Sequence, residues 1–283
     1  MTELELIGRL LPHLSARGGE LLIGPGEDDA AAWWNPGVGY IVATCDTAIE
    51  GVHFDLARQR PEAIGWRALC FALGDLAAKG ARPTYGLVAL SMPERWRQDT
   101  AVGIYRGMAE LAGEVGLRLV GGDTTRAPHD GALTLTLLGA ATTAPVPRSA
   151  ARAGWLVGVT GPLGGAALAW ERPRPRLALG AELAAAGLCC GDVSDGLVAE
   201  LDKFAAAAGV GARLRLDAVP LAEGATPLAA LASGEEVELV CCGPTLPEAV
   251  RPVGELTGDG RVVVLDGAGE EVEVEERGYD HFA

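Results

Sequence analysis

The sequence predicts an α/β (α+β) protein built from two domains. Segments rich in β-branched residues alternate with segments of helical length in both halves of the chain, a pattern typical of layered sheets and helices. The length of 283 residues suits two domains of about 140 residues each. Residues 142–154 contain two prolines and several small polar residues. We therefore predict a linker there and place the domains at 1–147 and 148–283.

In the first half, Thr2 and Glu5 form a capping-box pattern ahead of a leucine-rich helix. Pro61 suits the first turn of a long apolar helix. The alternation of Leu with Thr after residue 131 is typical of a sheet with one buried face. The predicted elements are helices at 3–11, 61–79 and 98–115 and strands at 38–46, 84–91, 117–123 and 132–141, with 117–123 ending on glycines and Asp123.

The second half repeats this alternation after the predicted linker. Ser194 and Asp195 are expected to open a helix that ends near residue 208, and the amides at its start would favour a bound phosphate. The other predicted elements are strands at 155–161, 212–217, 237–242, 261–266 and 271–275 and helices from about 164 and near 177–186.

The composition argues against several classes of protein. A net charge of -15 and a pI near 4.7 disfavour nucleic acid as a partner, because binding its phosphate backbone needs a cationic surface. The N-terminus lacks a basic segment followed by a long apolar one, and no apolar run approaches the ~20 residues that span a bilayer. We expect no signal peptide, no membrane partner and a cytoplasmic location. Six cysteines without Cys-x-x-Cys spacing favour core residues over a zinc cage or a disulfide framework.

Acidic residues recur at strand ends, in glycine turns and within an apolar helix. Asp75 is the most informative, because an unpaired carboxylate inside an apolar helix is costly and needs a cation, a partner or a metal. Such hard oxygen ligands suit Mg²⁺ better than Zn²⁺, and no stretch has the spacing of an EF-hand. Paired carboxylates for glycoside hydrolysis stay open from composition alone. The acidic segments are GPGEDDAA, TCDTAIEGVHF, LGDLAAKGA, GGDTTR and GDVSDG.

The chain has no lysine-containing phosphate loop. GPGEDD (24–29) has the glycines of such a loop but three successive carboxylates, and the only two lysines, Lys79 and Lys203, lie in helical patterns. Nucleotide chemistry would therefore run through metal bridges, backbone amides and a few arginines. Arg126 and Arg148 are the candidates, and a solvent-exposed role for each is equally compatible with the sequence.

Five motifs occur in a fixed order along nearly the whole chain. They are DTAIEGVHFD (46–55), GWRALCFALGDLAAKGARP (65–83), GGDTTRAP (121–128), DVSDGLVAELDKFA (192–205) and GYDHF (278–282). In this order they resemble the motifs of the thiamine-monophosphate kinase family, which belongs to the aminoimidazole-ribonucleotide-synthetase-like superfamily. Five ordered motifs are far more specific than any single Gly-Asp turn.

The resemblance implies ATP-dependent phosphorylation of thiamine monophosphate to thiamine diphosphate by direct in-line transfer, with several Mg²⁺ ions. It also implies a homodimer whose N-terminal sheets pair, an N-terminal domain that binds ATP and Mg²⁺, and a C-terminal domain that completes the cleft. No catalytic base is assigned, because the attacking phosphate oxygen is already anionic. The implied metal ligands are Asp28 or Asp29, Thr44, Asp46, Asp75, Asp123, Asp192 and Asp195; the nucleotide contacts are Gly122, Asp123, Arg148 and Ser194; the thiamine phosphate contacts are His53, Glu235 and Tyr279.

Three segments depart from the family pattern. Residues 233–239 read SGEEVEL, which keeps Glu235 but places Val237 where an aromatic residue is usual. Glu171 stands where a histidine is expected. GPGEDD is one residue longer than usual, so the spacing to the next motif selects Asp29 as the metal ligand, whereas matching the glycines selects Asp28.

Two other functions stay open. One is another ATP-dependent synthetase of the superfamily, although a selenophosphate synthetase usually has a reactive Cys close to its N-terminus and the first cysteine here is Cys45. The other is a non-catalytic relic that still binds thiamine phosphate, which the altered segment at 233–239 motivates. The number of costly carboxylates favours the enzyme, since a relic has no need of them.

Overall fold

Two mixed β-sheets organise the chain in the computed structural model, which describes residues 2–14, 19–165 and 172–282. The first sheet ends at residue 141 and the second begins at residue 156, so the predicted linker lies between them. This arrangement confirms the predicted α/β class. The domain boundary at 147/148 stays a prediction.

The first sheet has six strands in the order β1-β2-β3-β6-β4-β5, and only the β4–β5 pair is parallel. Burial alternates along β6 as predicted. The strand that was predicted to end at Asp123 continues to Ala127, because it pairs with β4 as far as Pro93. The strands are β1 (Leu21–Ile23), β2 (Ala31–Asn35), β3 (Gly39–Ile49), β4 (Arg82–Pro93), β5 (Arg118–Ala127) and β6 (Ala132–Ala141).

Three α-helices accompany this sheet: α1 (Glu3–Leu10), α2 (Pro61–Ala78) and α3 (Gln98–Val115). The Thr2–Glu5 capping box is present at α1, and Pro61 is the first residue of α2, as predicted. Helices α2 and α3 pack unusually closely, because a Cβ atom at Gly65 would lie 1.9 Å from the carbonyl oxygen of Ile104. Glycine at this position therefore allows the backbones to touch.

The second sheet has seven strands in the order β13-β12-β9-β11-β7-β10-β8, and only β9 and β12 are parallel. The sequence predicted none of β8, β11 and α6. The helix predicted from about residue 164 lies largely outside the described residues. Glu171 lies wholly outside them. The elements are β7 (Leu156–Val159), β8 (Cys189–Asp192), β9 (Gly211–Arg215), β10 (Leu239–Gly243), β11 (Arg251–Thr257), β12 (Val262–Leu265), β13 (Glu271–Val272), α4 (Leu177–Ala185), α5 (Leu197–Ala208) and α6 (Pro227–Ala232).

Helix α2 connects the two sheets. Its leucines pack into the core of the first sheet, whereas Ala77 and Ala78 at its end belong to a separate cluster with residues of α4, β8 and β10. A Cβ atom at Gly180 of α4 would lie 2.0 Å from the carbonyl oxygen of Ala77. This close packing fixes Asp75 at the junction of the two sheets.

The cysteines mostly fill the core, as predicted. All six are free thiols; Cys45 is exposed and the other five are buried. None of the helices in the described ranges is both long enough and apolar enough to cross a membrane.

Candidate functional site

Three carboxylates from distant parts of the chain converge where α2 meets β8. Asp75 lies in α2, Asp192 ends β8, and Asp29 lies in the loop before β2. One oxygen of each lies within 4.8 Å of the others. The structure therefore brings together three of the predicted metal ligands.

Gly74 makes room for this convergence. A Cβ atom at Gly74 would lie 2.8 Å from Oδ2 of Asp192, which is closer than ordinary packing allows. A side chain here would push the carboxylate of Asp192 away from α2. The glycine before Asp75 is therefore part of the site.

Burial and mutual repulsion disfavour ionisation within this cluster. Burial, with repulsion from Asp192 and Asp29, raises the pKa of Asp46 to about 7. Burial and the charges of Asp46 and Asp29 also raise the pKa of Asp75 to about 7, although the hydroxyl of Thr44 donates a hydrogen bond to Asp75. Burial raises the pKa of Asp192 well above its usual range. These carboxylates need more positive charge than the surrounding side chains supply.

The adjacent residues Asp28 and Asp29 have different surroundings. The Asp28 side chain is 1% exposed; it pairs with Lys79 and accepts a 2.7 Å hydrogen bond from the backbone N–H of Arg148. The Asp29 side chain is 40% exposed, and its carboxylate is among those that converge near Asp192. Ion pairs thus enclose Asp28, and the geometry favours Asp29 as the metal ligand.

This difference predicts that two matched substitutions affect different properties, stability for Asp28 and Mg²⁺ binding for Asp29. We expect Asp28→Asn to lower the free energy of unfolding by about 3 kcal/mol, because it leaves the buried Lys79 without its counter-ion. We expect Asp29→Asn to weaken Mg²⁺ binding by about tenfold and to lower the free energy of unfolding by less than Asp28→Asn does, because the Asp29 side chain is 40% exposed. Chemical denaturation and calorimetric Mg²⁺ titration measure the two effects. A stable Asp28→Asn variant that has lost Mg²⁺ binding would reverse the assignment.

Arg148 is a buried cation that forms ion pairs with the acidic residues of the site. The alternative that this residue is solvent-exposed is therefore wrong. Its side chain is 2% exposed, and its Nη2 lies 2.6 Å from Asp29 and 2.8 Å from Glu200. Burial opposes ionisation of Asp29, but Arg148 and Lys203 outweigh it and lower the pKa of Asp29 to about 2. The predicted contact of Arg148 with the nucleotide stays a prediction. Arg126, by contrast, is exposed and pairs with Glu94.

Sequence reasoning missed the two lysines. Nζ of Lys203 lies 2.7 Å from Asp195 and 2.6 Å from Glu200, while Lys79 is almost fully buried beside the acid cluster. A signal was present, because they are the only lysines in the chain. Each also follows an acid by one helical turn, Lys79 after Asp75 and Lys203 after Glu200.

The turn before α5 differs from the prediction. The helix begins at Leu197, with Gly196 as its N-cap at φ +115°, so the prediction that Ser194 and Asp195 open the helix is wrong. Both residues precede it in a turn. The hydroxyl of Ser194 donates a 3.3 Å hydrogen bond to Glu200. They therefore reach the acidic site from a turn and not from helical backbone.

Gly122 and Asp123 lie on the exposed part of β5. Gly122 has φ +154°, and a Cβ atom there would lie 1.8 Å from the carbonyl oxygen of Val88, so this position requires glycine. Within the described ranges, no hydrogen bond or ion pair connects Asp123 with the three converging carboxylates. The roles of Gly122 and Asp123 stay predictions.

Two of the predicted substrate contacts flank a third aromatic residue. The ring of His281 lies 5.2 Å from that of His53 and 4.7 Å from that of Tyr279. The backbone N–H of Tyr279 donates a 2.8 Å hydrogen bond to the carbonyl of Asp195, which holds the C-terminal segment at the site. Burial and the neighbouring His281 lower the pKa of His53, so its ring is neutral at pH 7. His281 was not predicted, although it lies in the GYDHF motif.

Glu235 lies next to the turn that contains Ser194. Its backbone N–H donates a 2.6 Å hydrogen bond to the carbonyl of Ser194, and its φ is +53°. Nη2 of Arg67, from α2, donates a 2.6 Å hydrogen bond to its carboxylate. Val237 packs against the core of the first sheet. The predicted substrate and nucleotide contacts therefore adjoin each other.

The donor set fits a divalent cation. Oδ1 of Asp192 is buried and has no hydrogen-bond partner in the part of the chain that the structure describes. A buried carboxylate oxygen without a donor is costly, and a metal ion would satisfy it. Carboxylate and hydroxyl oxygens are the ligands that Mg²⁺ prefers.

The chain is similar to several known proteins. A family model described as "AIR synthase related protein, N-terminal domain" matches residues 27–142. The thiamine-monophosphate kinase of Rhodopirellula baltica is 34% identical over 245 residues, which cover 79% of this chain and 76% of the relative. That of Mycobacterium tuberculosis is 34% identical over 277 residues, covering 86% and 82%. The structure of AaThiL complexed with AMPPCP and TMP has a TM-score of 0.86 and 25% identity, covering 99% of this chain and 97% of that one.

These matches extend across both sheets. The family model covers β2 to β6, and the structural match covers nearly the whole chain. The relatives exceed 30% identity over more than two thirds of their own length. The chain belongs to the thiamine-monophosphate kinase family.

Proposed function

We propose that this protein phosphorylates thiamine monophosphate with ATP, giving thiamine diphosphate, in the cytoplasm where ATP is available. The observation that carries the proposal is the convergence of Asp29, Asp75 and Asp192 in a chain whose relatives are named for this activity. AaThiL was solved with AMPPCP, which is an ATP analogue, and with TMP. That pair of ligands corresponds to the two proposed substrates.

The reaction places few demands on proton transfer. The nucleophile is a phosphate oxygen of thiamine monophosphate, which is anionic at neutral pH, so no side chain has to act as a strong base. Bound Mg²⁺ ions would neutralise phosphate charge and so reduce the repulsion between two polyanions. Asp29, Asp46, Asp75 and Asp192 would hold these ions together with Thr44, whose hydroxyl also donates a hydrogen bond to Asp75. An acidic site is therefore suited to acidic substrates.

The remaining residues would surround the two substrates. The neutral ring of His53 would donate a hydrogen bond to the substrate phosphate, with Tyr279 on the other side of His281. Glu235 would contact the thiamine. The backbone at Gly122, with Asp123, Arg148 and Ser194, would contact the nucleotide, and Asp123 and Asp195 would complete the metal ligands. The N-terminal domain would thus supply most ligands and the C-terminal domain would close the cleft.

A chromatographic assay tests this function. Purified protein incubated with ATP, Mg²⁺ and thiamine monophosphate should form thiamine diphosphate and ADP. Binding of thiamine monophosphate without product would favour the non-catalytic relic. ATP hydrolysis that ignores thiamine monophosphate would favour another synthetase of the superfamily.

We also propose that the protein is a homodimer that pairs through its first sheet. The outer face of this sheet exposes Tyr85 and Leu87 on β4 and Val120 on β5, each between 44% and 54% exposed. Strand β5 lies at the edge of the sheet. Burying these side chains against a second copy would remove apolar surface from water.

Leu87→Asp is expected to produce a monomer, because it places a charge within the proposed interface. Light scattering coupled to size exclusion should then give a mass near 29.1 kDa, whereas the wild-type mass should be twice that value. Val102→Asp is the matched control, because Val102 is equally exposed but lies on α3. A monomeric wild-type protein would contradict the proposed dimer.

A further inference from the structure

One side of α2 is only partly buried near the acidic site. From Ile64 to Ala78 every residue of the helix is buried except Phe71 and Gly74. These two residues are three positions apart, so they lie on the same face of the helix. Gly74 contacts Asp192 at the site, so Phe71 lies about one turn from the carboxylates on the same partly buried face.

Among the described residues, Phe71 lies outside the packed hydrophobic cores. It belongs to none of the three hydrophobic clusters formed by the described residues. Its ring instead contacts the guanidinium of Arg67, which lies 5.0 Å from the ring centre. A half-buried phenylalanine that adds nothing to these cores leaves aromatic surface available to a ligand.

Arg67 connects this ring to Glu235. Its side chain is 6% exposed and donates the 2.6 Å hydrogen bond to the carboxylate of Glu235. Glu235 is the only non-glycine residue with positive φ in the described ranges, and Gly234 leaves no room for a side chain, since a Cβ atom there would lie 2.6 Å from the carbonyl oxygen of Ser194. The backbone of the turn and Arg67 together fix where the carboxylate points.

We infer that Phe71 is the aromatic surface on which the ring system of the substrate stacks, and that Arg67 positions Glu235 beside it. This inference rests on the proposed function. Arg67, Phe71 and Asp75 are spaced four residues apart along α2, so the helix would hold the organic part of the substrate and the metal site at a fixed separation.

The chemistry of the substrate fits this surface. Thiamine carries a cationic thiazolium ring, which the face of a phenyl ring attracts, and an aminopyrimidine ring that can stack. Its amino group can donate a hydrogen bond to a carboxylate such as that of Glu235. Stacking is independent of the phosphate, so it should affect thiamine phosphate binding and leave ATP binding unchanged.

Substitutions of Phe71 separate stacking from packing. We expect Phe71→Leu, which keeps apolar volume but loses the ring, to raise the KM for thiamine monophosphate by about tenfold with the KM for ATP and the melting temperature unchanged. Phe71→Tyr should retain the wild-type KM. An unchanged KM in Phe71→Leu, or an equal rise in both KM values, would overturn the inference.

Substitutions of Arg67 test its positioning role. Arg67→Gln should raise the KM for thiamine monophosphate more than it lowers kcat, and Arg67→Lys should recover part of the loss because it restores a cation next to Glu235. Arg106→Gln, which breaks an exposed ion pair with Glu62, is the matched control and should change neither constant. Failure of Arg67→Lys to recover any affinity would argue against the role.

A failure of the stacking inference can be distinguished from a failure of the proposed function. Calorimetric binding of thiamine monophosphate to the wild-type protein requires no turnover, so it shows whether the ligand binds at all. Wild-type binding that Phe71→Leu leaves unchanged overturns the stacking inference alone. Absence of wild-type binding overturns both.

Discussion

Asp75→Asn is expected to lower kcat by about a thousandfold while the chain stays folded. Asp75 is the buried carboxylate of α2 that converges with Asp29 and Asp192, and a neutral amide binds Mg²⁺ far more weakly than a carboxylate does. Enzyme kinetics should show the loss at saturating Mg²⁺. Calorimetry should show weaker Mg²⁺ binding in the same variant.

The same variant has a distinctive effect on stability. The pKa of Asp75 is raised from 3.8 to about 7, so the folded chain holds this proton more tightly than the unfolded chain does. Ionised Asp75 therefore destabilises the fold above pH 7, and the amide should raise the melting temperature at pH 8 without Mg²⁺. This gain in melting temperature should decrease as the pH is lowered from 7 to 4. Asp202→Asn, on α5, is the control. Full activity of the Asp75→Asn variant would show that Asp75 is not a metal ligand.

Arg148→Met is expected to lower the free energy of unfolding by about 3–5 kcal/mol. The guanidinium pairs with Asp28, Asp29 and Glu200, and its loss leaves the buried Asp28 and Glu200 with one cation each, Lys79 and Lys203, in place of two. Chemical denaturation followed by circular dichroism measures the effect. Activity should fall with it, because the loop that carries Asp29 loses its anchor.

The matched control for Arg148 is Arg213→Met. Arg213 is half-exposed and pairs with Glu255 and Asp259 on the surface, so its loss should change the free energy of unfolding by less than about 0.5 kcal/mol. Equal effects of the two substitutions would show that the buried ion pairs do not organise the site.

Strong periodic patterns made much of the fold predictable. The structure has α3 at Gln98–Val115 and β6 at Ala132–Ala141, both at the predicted bounds, because amphipathic periodicity and Leu-Thr alternation are local properties. Strand β11 was missed because Pro252 and Gly254 disfavour a strand, and the pairing with β7 is irregular between them. Strand β1 has only three residues, too few for a periodic signal.

The site was predictable only in part, for a different reason. The acids were predicted because Asp beside glycine at a strand end or inside an apolar helix is a local feature. Their cations were not, because the pairs Lys79–Asp28 and Arg67–Glu235 join residues that are far apart in the sequence. Tertiary packing of α2 against the second sheet decides such pairs.

Phosphorus NMR of one reaction mixture tests the central claim most directly. With wild-type protein, ATP, Mg²⁺ and thiamine monophosphate, the monophosphate resonance should be replaced by the two coupled resonances of thiamine diphosphate, in equal amount to ADP. Omitting Mg²⁺ should stop the reaction. A spectrum in which ATP gives inorganic phosphate while thiamine monophosphate stays unchanged would contradict the account.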